Sequence, residues 1–163
     1  MDIKRAQQEV DDWIQQFTIQ YFKPHEIVTQ MSEELGEIAN EILKENTERV
    51  GKEIGDLTFA FICMANSHNI KLVEEKYSVA PNSEKAFLSL SYGISQIARE
   101  INHIYGPKKK KAEEESSSLQ IRLQEGYNKI QILAKSYEIN MDISFSYIMK
   151  KMNKRDDSRW EKK

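Results

Sequence analysis

The sequence predicts an all-α fold, an antiparallel bundle of about five to six helices. Glycine and proline, which interrupt helices, number only 6 and 3 among 163 residues, whereas helix formers such as Glu, Lys, Gln, Ile and Leu are abundant. Apolar residues also recur every three or four positions in several segments, which is the period of an amphipathic helix. A chain of this length buries roughly two-thirds of the surface that it exposes when unfolded. We therefore expect one all-α domain over residues 1–163.

The first two predicted helices are separated by Pro24, because proline cannot continue a helix that precedes it. Val10 and Phe17 belong to the apolar face of helix one, and Met31 and Ile38 belong to that of helix two. The polar stretch KENTE follows helix two and ends it. The predicted bounds are about 4–19 for helix one and about 25–44 for helix two.

A third helix is predicted from Gly51 to about residue 70. Its middle, LTFAFICMA from Leu57 to Ala65, is apolar on every side, so a helix here must be buried on all faces. A buried strand would show the same run. We favour a helix because the pattern extends back through Glu53 without a turn signal and because the neighbouring segments are helical.

The rest of the chain predicts three more helices joined by polar connections. Ile94, Ile97 and Ile101 belong to the apolar face of helix four, and Phe145 and Ile148 to that of helix six. The segment YGPKKKKAEEESSS combines helix-stopping residues with opposed charge blocks, which is typical of an exposed linker. The predicted bounds are about 84–104 for helix four, about 119–137 for helix five and from about 142 for helix six, with a loop at about 76–83, a linker at about 106–118 and a polar C-terminal tail at about 154–163.

Composition argues against several classes of function. The formal net charge of -2 provides no broad positive field, so we do not expect binding to a nucleic acid polymer. No segment approaches the length of a membrane span, and the start MDIKRAQQEVDDW lacks the apolar stretch of a secretory signal. The single cysteine, Cys63, lies in an apolar run and suits a reducing compartment. We expect a cytoplasmic protein without a membrane partner.

Two pairs of carboxylates are the candidate functional residues. Glu34 and Glu37, three residues apart, share one side of helix two. Glu53 and Asp56 repeat this spacing at the start of helix three, on the face that carries Cys63, so this pair is predicted to point inward. We expect the two pairs to meet at the edge of the core.

Carboxylates gathered at the edge of a core cannot all stay ionised unless cations neutralise them. Oxygen ligands without a His or Cys partner favour hard ions such as Mg²⁺, with Mn²⁺ as a substitute, over zinc. A carboxylate metal site with open positions commonly also binds phosphate oxygens. The sequence therefore predicts a divalent cation and a phosphorylated substrate.

These residues resemble the MazG-like members of the all-α nucleoside triphosphate pyrophosphohydrolases. The family pattern is EExxE, a variable gap and ExxD; here EELGE supplies Glu33, Glu34 and Glu37, and EIGD supplies Glu53 and Asp56. The resemblance covers helices two and three well and NMDISFSYIMKKMNKR loosely. It implies that Glu33 is a supporting group in a second layer and that four carboxylates bind Mg²⁺, namely Glu34, Glu37, Glu53 and Asp56.

The reaction implied by the resemblance is hydrolysis of a nucleoside triphosphate between its α and β phosphates, giving a monophosphate and pyrophosphate. Glu34 or Glu37 would take the proton of the attacking water. The biological role implied is house-cleaning of nucleotide pools. A homodimer is one arrangement that the resemblance allows, and the base and sugar preference stays open.

Further substrate contacts are predicted near the C-terminus and in helix one. Trp13 and Phe17 have two interpretations, since they could stack on a base or belong to the core, and we favour the core. The candidate phosphate contacts of the terminal basic motif are Lys150, Lys151, Asn153, Lys154 and Arg155.

The two halves of the chain resemble each other weakly. MSEELGEIANEI in helix two is similar to LSYGISQIAREI in helix four, and SHNI, which ends helix three, is similar to SYEI, which ends helix five. A duplicated hairpin and a chance likeness of amphipathic helices both explain this echo. If it is a duplication, Gly93, Gln96, Arg122 and Glu125 stand where the first half has its four metal ligands, so each chain has one active centre.

A second hypothesis, from another class, is a non-catalytic nucleotide-sensing or helical interaction module. The presence of all four candidate ligands favours the enzyme. Nucleotide binding without turnover would favour the module.

Overall fold

The computed structural model describes residues 1–18, 20–75, 82–111, 118–155 and 160–163, and these contain six helices and no strand. The all-α prediction is confirmed, and the apolar run in α3 is helical. None of the described helices combines the length and apolar character that crossing a membrane requires. The helices are α1 Ile3–Ile14, α2 Pro24–Leu43, α3 Thr47–Ser67, α4 Ser83–Tyr105, α5 Leu119–Ser136 and α6 Met141–Arg155.

Most of the helices begin at a residue whose side chain caps the first turn. The side chains of Asp2, Asn46, Asn82 and Ser118 each accept a hydrogen bond from a backbone N–H of the helix that follows. Pro24 is the first residue of α2, where the missing N–H would have no partner within the helix. Short polar residues therefore determine where α1, α3, α4 and α5 start.

Helix α3 is the central element of the bundle. It packs against α1, α2, α5 and α6, and α4 packs against α2 and α5. Ile54, Leu57, Phe61 and Met64 of α3 are fully buried, because neighbouring helices cover it on several sides. This arrangement explains the uninterrupted apolar run in the sequence.

The hairpins α2–α3 and α4–α5 end in the same local geometry. Beyond α3, the N–H of Ile70 donates to the carbonyl of Ala65 at 2.8 Å; beyond α5, the N–H of Ile139 donates to the carbonyl of Ala134 at 2.8 Å. The residue before each donor has a positive φ, of 55° and 56° respectively. The sequence echo SHNI and SYEI thus has a structural counterpart at the end of each hairpin.

Helix one ends earlier than predicted, at Ile14 rather than near residue 19. Phe17 continues the apolar rhythm but lies beyond the helix, where its N–H donates to the carbonyl of Ile14 at 3.1 Å and it forms an isolated antiparallel bridge with Lys162. The N–H of Thr18 also donates to the carbonyl of Glu161 at 2.8 Å. Since Phe17 is buried in either conformation, its apolar character did not reveal the end of the helix.

The predicted connections lie partly in the described chain. Residues 106–111 of the predicted linker are non-helical, whereas 112–117, most of the predicted loop 76–83 and residues 156–159 lie outside the described residues. Lys110 of the linker pairs with the buried carboxylate of Glu100. Of the predicted tail, 154–155 belong to α6 and 160–163 return alongside the segment after α1.

Helix α6 crosses α3 closely at Gly55. A Cβ atom at Gly55 would lie 2.5 Å from the carbonyl oxygen of Ser144. Backbone atoms cannot move aside as a flexible side chain can, so this approach requires glycine. The crossing also places Lys151, further along α6, beside Asp56 of α3.

We expect Gly55→Ala to lower the free energy of unfolding by about 1–3 kcal/mol, because the added methyl group overpacks the crossing. The measurement is chemical denaturation followed by circular dichroism. Gly36→Ala is the matched control: a Cβ at Gly36 meets nothing within 4 Å, so alanine should stabilise α2 by about 0.5–1 kcal/mol. Equal effects of the two substitutions would contradict the close crossing.

Candidate metal centre and cleft

Three carboxylates of the α2–α3 hairpin converge on one point. One carboxylate oxygen from each of Glu34, Glu37 and Glu53 lies within 4.8 Å of the other two. Glu34 is half-buried, Glu37 is exposed and Glu53 is buried, so the cluster reaches from the core to the surface. The antiparallel packing of α2 on α3 brings the two motifs together.

Asp56 lies beside this cluster and is 5% exposed. Its Oδ1 accepts a hydrogen bond from the Nζ of Lys151 at 2.8 Å, and its buried Oδ2 has no hydrogen-bond partner among the described residues. A buried carboxylate oxygen without a donor is unfavourable. One oxygen of Asp56 is therefore bonded to the Lys151 ammonium, and the other is available to a second cation.

The environment of the cluster favours protonated carboxyl groups when no metal is bound. Burial, followed by the charges of Asp56 and Glu37, raises the pKa of Glu34 to about 8. Burial and the same neighbouring carboxylates raise the pKa of Glu53, although the Arg49 guanidinium lies 3.4 Å from its carboxylate. Burial also raises the pKa of Asp56, against the opposing effect of Lys151.

This donor set fits a hard divalent cation. The described ligand atoms are all carboxylate oxygens, which Mg²⁺ and Mn²⁺ prefer, and the cluster carries more negative charge than Lys151 and Arg49 neutralise. A bound cation would also supply the missing partner of Asp56 Oδ2. Glu34, Glu37, Glu53 and Asp56 are the residues that could hold it.

The cluster borders a cleft of about 450 Å³, a volume within the range of small-molecule sites. Helices α1, α2, α3 and α6, the segment before α2 and the C-terminal residues contribute to it. Its walls thus combine acidic, basic and aromatic side chains. The main lining residues are Trp13, Tyr21, Phe22, Gln30, Glu33, Glu34, Glu37, Phe59, Lys151, Arg155 and Trp160.

The cleft separates the predicted substrate contacts into two groups. Trp13, Lys151 and Arg155 line it, and so does the exposed Glu33. Phe17 lies in the core instead, with its ring centroid 5.1 Å from that of Trp13. The predicted contacts that are not among the described lining residues are Lys150, Asn153, Lys154 and Phe17.

Several lining residues were not among the sequence candidates. Phe22 is 47% exposed although it is a large apolar residue. Its position two residues before Pro24, between the first two predicted helices, was the signal that could have identified it. Tyr21 donates a hydrogen bond to Asp11 at 2.7 Å, and burial raises its pKa. Trp160 stands in a polar stretch, so no sequence pattern indicated that it returns to the cleft.

The α4–α5 hairpin carries no equivalent cluster in the described part of the chain. Arg122 and Glu125, at the echo positions of Glu53 and Asp56, form a surface ion pair with a distance of 3.1 Å. The other two echo positions are held by Gly93 and Gln96. The structure thus describes one acidic centre for the two hairpins.

Comparison with known proteins places this hairpin in a family context. The sequence model of a family described as "MazG nucleotide pyrophosphohydrolase domain" matches residues 22–80, which include α2 and α3. A curated relative, "Uncharacterized protein YpjD" of Bacillus subtilis (strain 168), is 38% identical over 82 residues, covering 44% of this chain and 74% of the relative. No solved structure matches the chain significantly.

Without divalent cations, we expect the free energy of unfolding to fall as the pH rises from about 4.5 to about 8. The raised pKa of Glu34 means that the folded state holds a proton that the unfolded chain releases in this window. Raised pKa values of Glu53 and Asp56 act in the same direction. Glu34→Gln should weaken this dependence and stabilise the metal-free chain at pH 8, as measured by denaturant unfolding at several pH values.

Glu48→Gln is the control for this measurement. The hydrogen bond from Lys52 lowers the pKa of Glu48, so its contribution is present at neutral pH and is lost on acidification. Glu48→Gln should therefore leave the fall in the free energy of unfolding toward pH 8 as steep as it is in the parent chain. An unchanged pH dependence in Glu34→Gln would contradict the environment described for the cluster.

Proposed function

Since the chain belongs to the MazG nucleotide pyrophosphohydrolase family, we propose that it hydrolyses nucleoside triphosphates between the α and β phosphates in a Mg²⁺-dependent reaction. The observation that carries this proposal is the convergence of Glu34, Glu37 and Glu53 beside Asp56, at a cleft that also contains Lys151. The products are a nucleoside monophosphate and pyrophosphate. House-cleaning of nucleotide pools is the role that this reaction suits.

The chain supplies three kinds of group to this reaction. The carboxylates of Glu34, Glu37, Glu53 and Asp56 hold Mg²⁺, which when bound neutralises phosphate charge and lowers the pKa of a bound water. Lys151 contacts the phosphates, and it lies on the same face of α6 as Arg155, the other cation that lines the cleft. The cleft walls keep the triphosphate beside the carboxylates.

Hydrolysis forms a bond between the water oxygen and the α phosphorus and breaks the bond from that phosphorus to the oxygen that bridges it to the β phosphorus. The electron pair of the broken bond leaves with pyrophosphate. Glu34 or Glu37 accepts the proton of the water as general base, because both carboxylates lie in the cluster and line the cleft. Glu33 is exposed at the cleft and supports the metal ligands from a second layer.

The alternative function is a nucleotide-sensing module without turnover. The cleft beside the carboxylates would serve binding equally well. The two functions differ in whether bound nucleotide is converted to pyrophosphate and monophosphate.

We expect Glu34→Gln and Asp56→Asn each to lower the rate of pyrophosphate release by about 100-fold or more, because each removes a proposed metal ligand. The assay incubates the chain with ribo- and deoxynucleoside triphosphates and Mg²⁺ and separates pyrophosphate from orthophosphate. EDTA should abolish the reaction. Circular dichroism checks that the variants stay folded.

Glu125→Gln is the matched control, since Glu125 stands at the echo position of Asp56 and pairs with Arg122 on the surface. It should retain the activity of the parent chain. Full activity in both ligand variants would reject the assignment of the site. Metal-dependent binding without any product would reject the enzyme in favour of the sensing module.

Lys151→Gln separates phosphate binding from metal binding. In the metal-free chain Lys151 neutralises Asp56, so its removal should tighten Mg²⁺ binding measured calorimetrically without nucleotide. Loss of a charged phosphate contact should raise KM for the triphosphate about 10-fold or more. Lys150→Gln, on the exposed neighbouring position, should change neither quantity. A weaker affinity for Mg²⁺ in Lys151→Gln would contradict its role as a competing cation.

A further inference from the structure

We propose that Phe22 and Trp160 form the subsite that binds the nucleobase, and that the C-terminal segment 160–163 thereby contributes to substrate affinity. This inference rests on the proposed function, since it concerns the base of the same nucleotide. Trp160 lies outside the matched family segment 22–80. The subsite therefore goes beyond what the family match describes.

The two rings form an accessible aromatic pair in the cleft. Their centroids are 6.0 Å apart and their planes are tilted by 60°. Phe22 is 47% exposed, and Trp160 is half-buried against the core. An exposed pair of large aromatic rings is unfavourable in water, and a flat ligand that covers the rings removes this cost.

Trp13 and Phe59, two other aromatic residues of the cleft, belong to the core. Trp13 and Phe59 are buried and contact each other edge to face, with their centroids 5.7 Å apart. Trp13 also contacts the buried Phe17 in the same manner. Trp13 and Phe59 are thus enclosed by protein, and the hydroxyl of the partly buried Tyr21 is held by Asp11. The paired rings of Phe22 and Trp160 are therefore the best placed for stacking.

The backbone holds Trp160 in place. The carbonyl of Glu161 accepts a hydrogen bond from Thr18 at 2.8 Å, and the N–H of Lys163 donates to the carbonyl of Gln16 at 3.0 Å. These bonds tie the C-terminal segment to the chain between α1 and α2, from which Phe22 also projects. A ring that is positioned before binding loses little conformational freedom when a ligand stacks on it.

The aromatic rings and the carboxylates occupy different parts of one cleft. Phe22 lies two residues before Pro24, the first residue of α2, whereas Glu34 and Glu37 lie roughly 15–20 Å beyond Pro24 at the rise of an α-helix. The rings and the carboxylates line the same cleft. A nucleotide has the required form, because its flat base and its metal-binding phosphates are joined by the sugar.

The test compares substrates with and without a base. For ATP, CTP, GTP and UTP, Trp160→Ala should raise KM roughly 5- to 100-fold, the range that loss of a base stack produces, with kcat changed less than about twofold. KM for inorganic tripolyphosphate should stay unchanged, because it has no base. Trp160→Phe, which keeps an aromatic ring, should recover most of the affinity, and Phe22→Ala should behave like Trp160→Ala.

Glu161→Gln is the control within the same segment, since its side chain is exposed and its backbone contact is retained. It should keep the KM of the parent chain. An unchanged KM for nucleotides in Trp160→Ala would overturn the subsite. An equal increase in KM for nucleotides and tripolyphosphate would also overturn it, because that result indicates a structural role for the segment.

A binding measurement tests the subsite separately from turnover. In a Trp13→Phe variant, Trp160 is the remaining tryptophan, so its fluorescence reports on the proposed stack. Nucleoside triphosphates should quench this fluorescence and tripolyphosphate should not. If the parent chain releases no pyrophosphate but this difference is seen, the proposed reaction fails and the base subsite stands. Equal quenching by both compounds, or no quenching, would overturn the subsite.

Discussion

The burial of Glu53 and Asp56 in α3 is the constraint on which the site depends. Both carboxylates are buried on the central helix, where water cannot fully solvate their charges. Arg49 and Lys151 neutralise them in part, and the proximity of the α2 carboxylates increases the repulsion. The carboxylates thus resist full ionisation without a neutralising cation, and a bound cation would link the stability of this region to metal binding.

Helix α6 completes the site from the opposite side of the hairpin. Its close crossing at Gly55 brings the backbone near Ser144 against α3, and the next turns carry Lys151 and Arg155 into the cleft. The acidic groups therefore come from one hairpin and the basic groups from another helix. The packing at Gly55 therefore contributes to the placement of Lys151 and Arg155.

The two helical hairpins share their end geometry but differ in chemistry. Where the first hairpin gathers carboxylates, the second has Gly93 and an ion pair between Arg122 and Glu125. Gly126 of the second hairpin lets α5 approach the ring of Phe61, since a Cβ there would lie 2.5 Å from it. The second hairpin thus covers α3 and supports the core, while the first carries the polar site.

The sequence by itself determined the helices and the carboxylate pairs, because both follow from local periodicity. The i, i+3 spacing of Glu53 and Asp56 and the apolar run of α3 can be recognised without knowledge of distant contacts. The end of α1 was missed because Phe17 is buried in helix and bridge alike. Only the tertiary structure selected Lys151 and Arg155 from the basic motif, since the rotation of α6 against α3 decides which residues enter the cleft. The position of Trp160 in the cleft also follows only from the tertiary structure. It depends on backbone hydrogen bonds of the C-terminal segment, which any side chain could accompany and which the sequence therefore does not indicate.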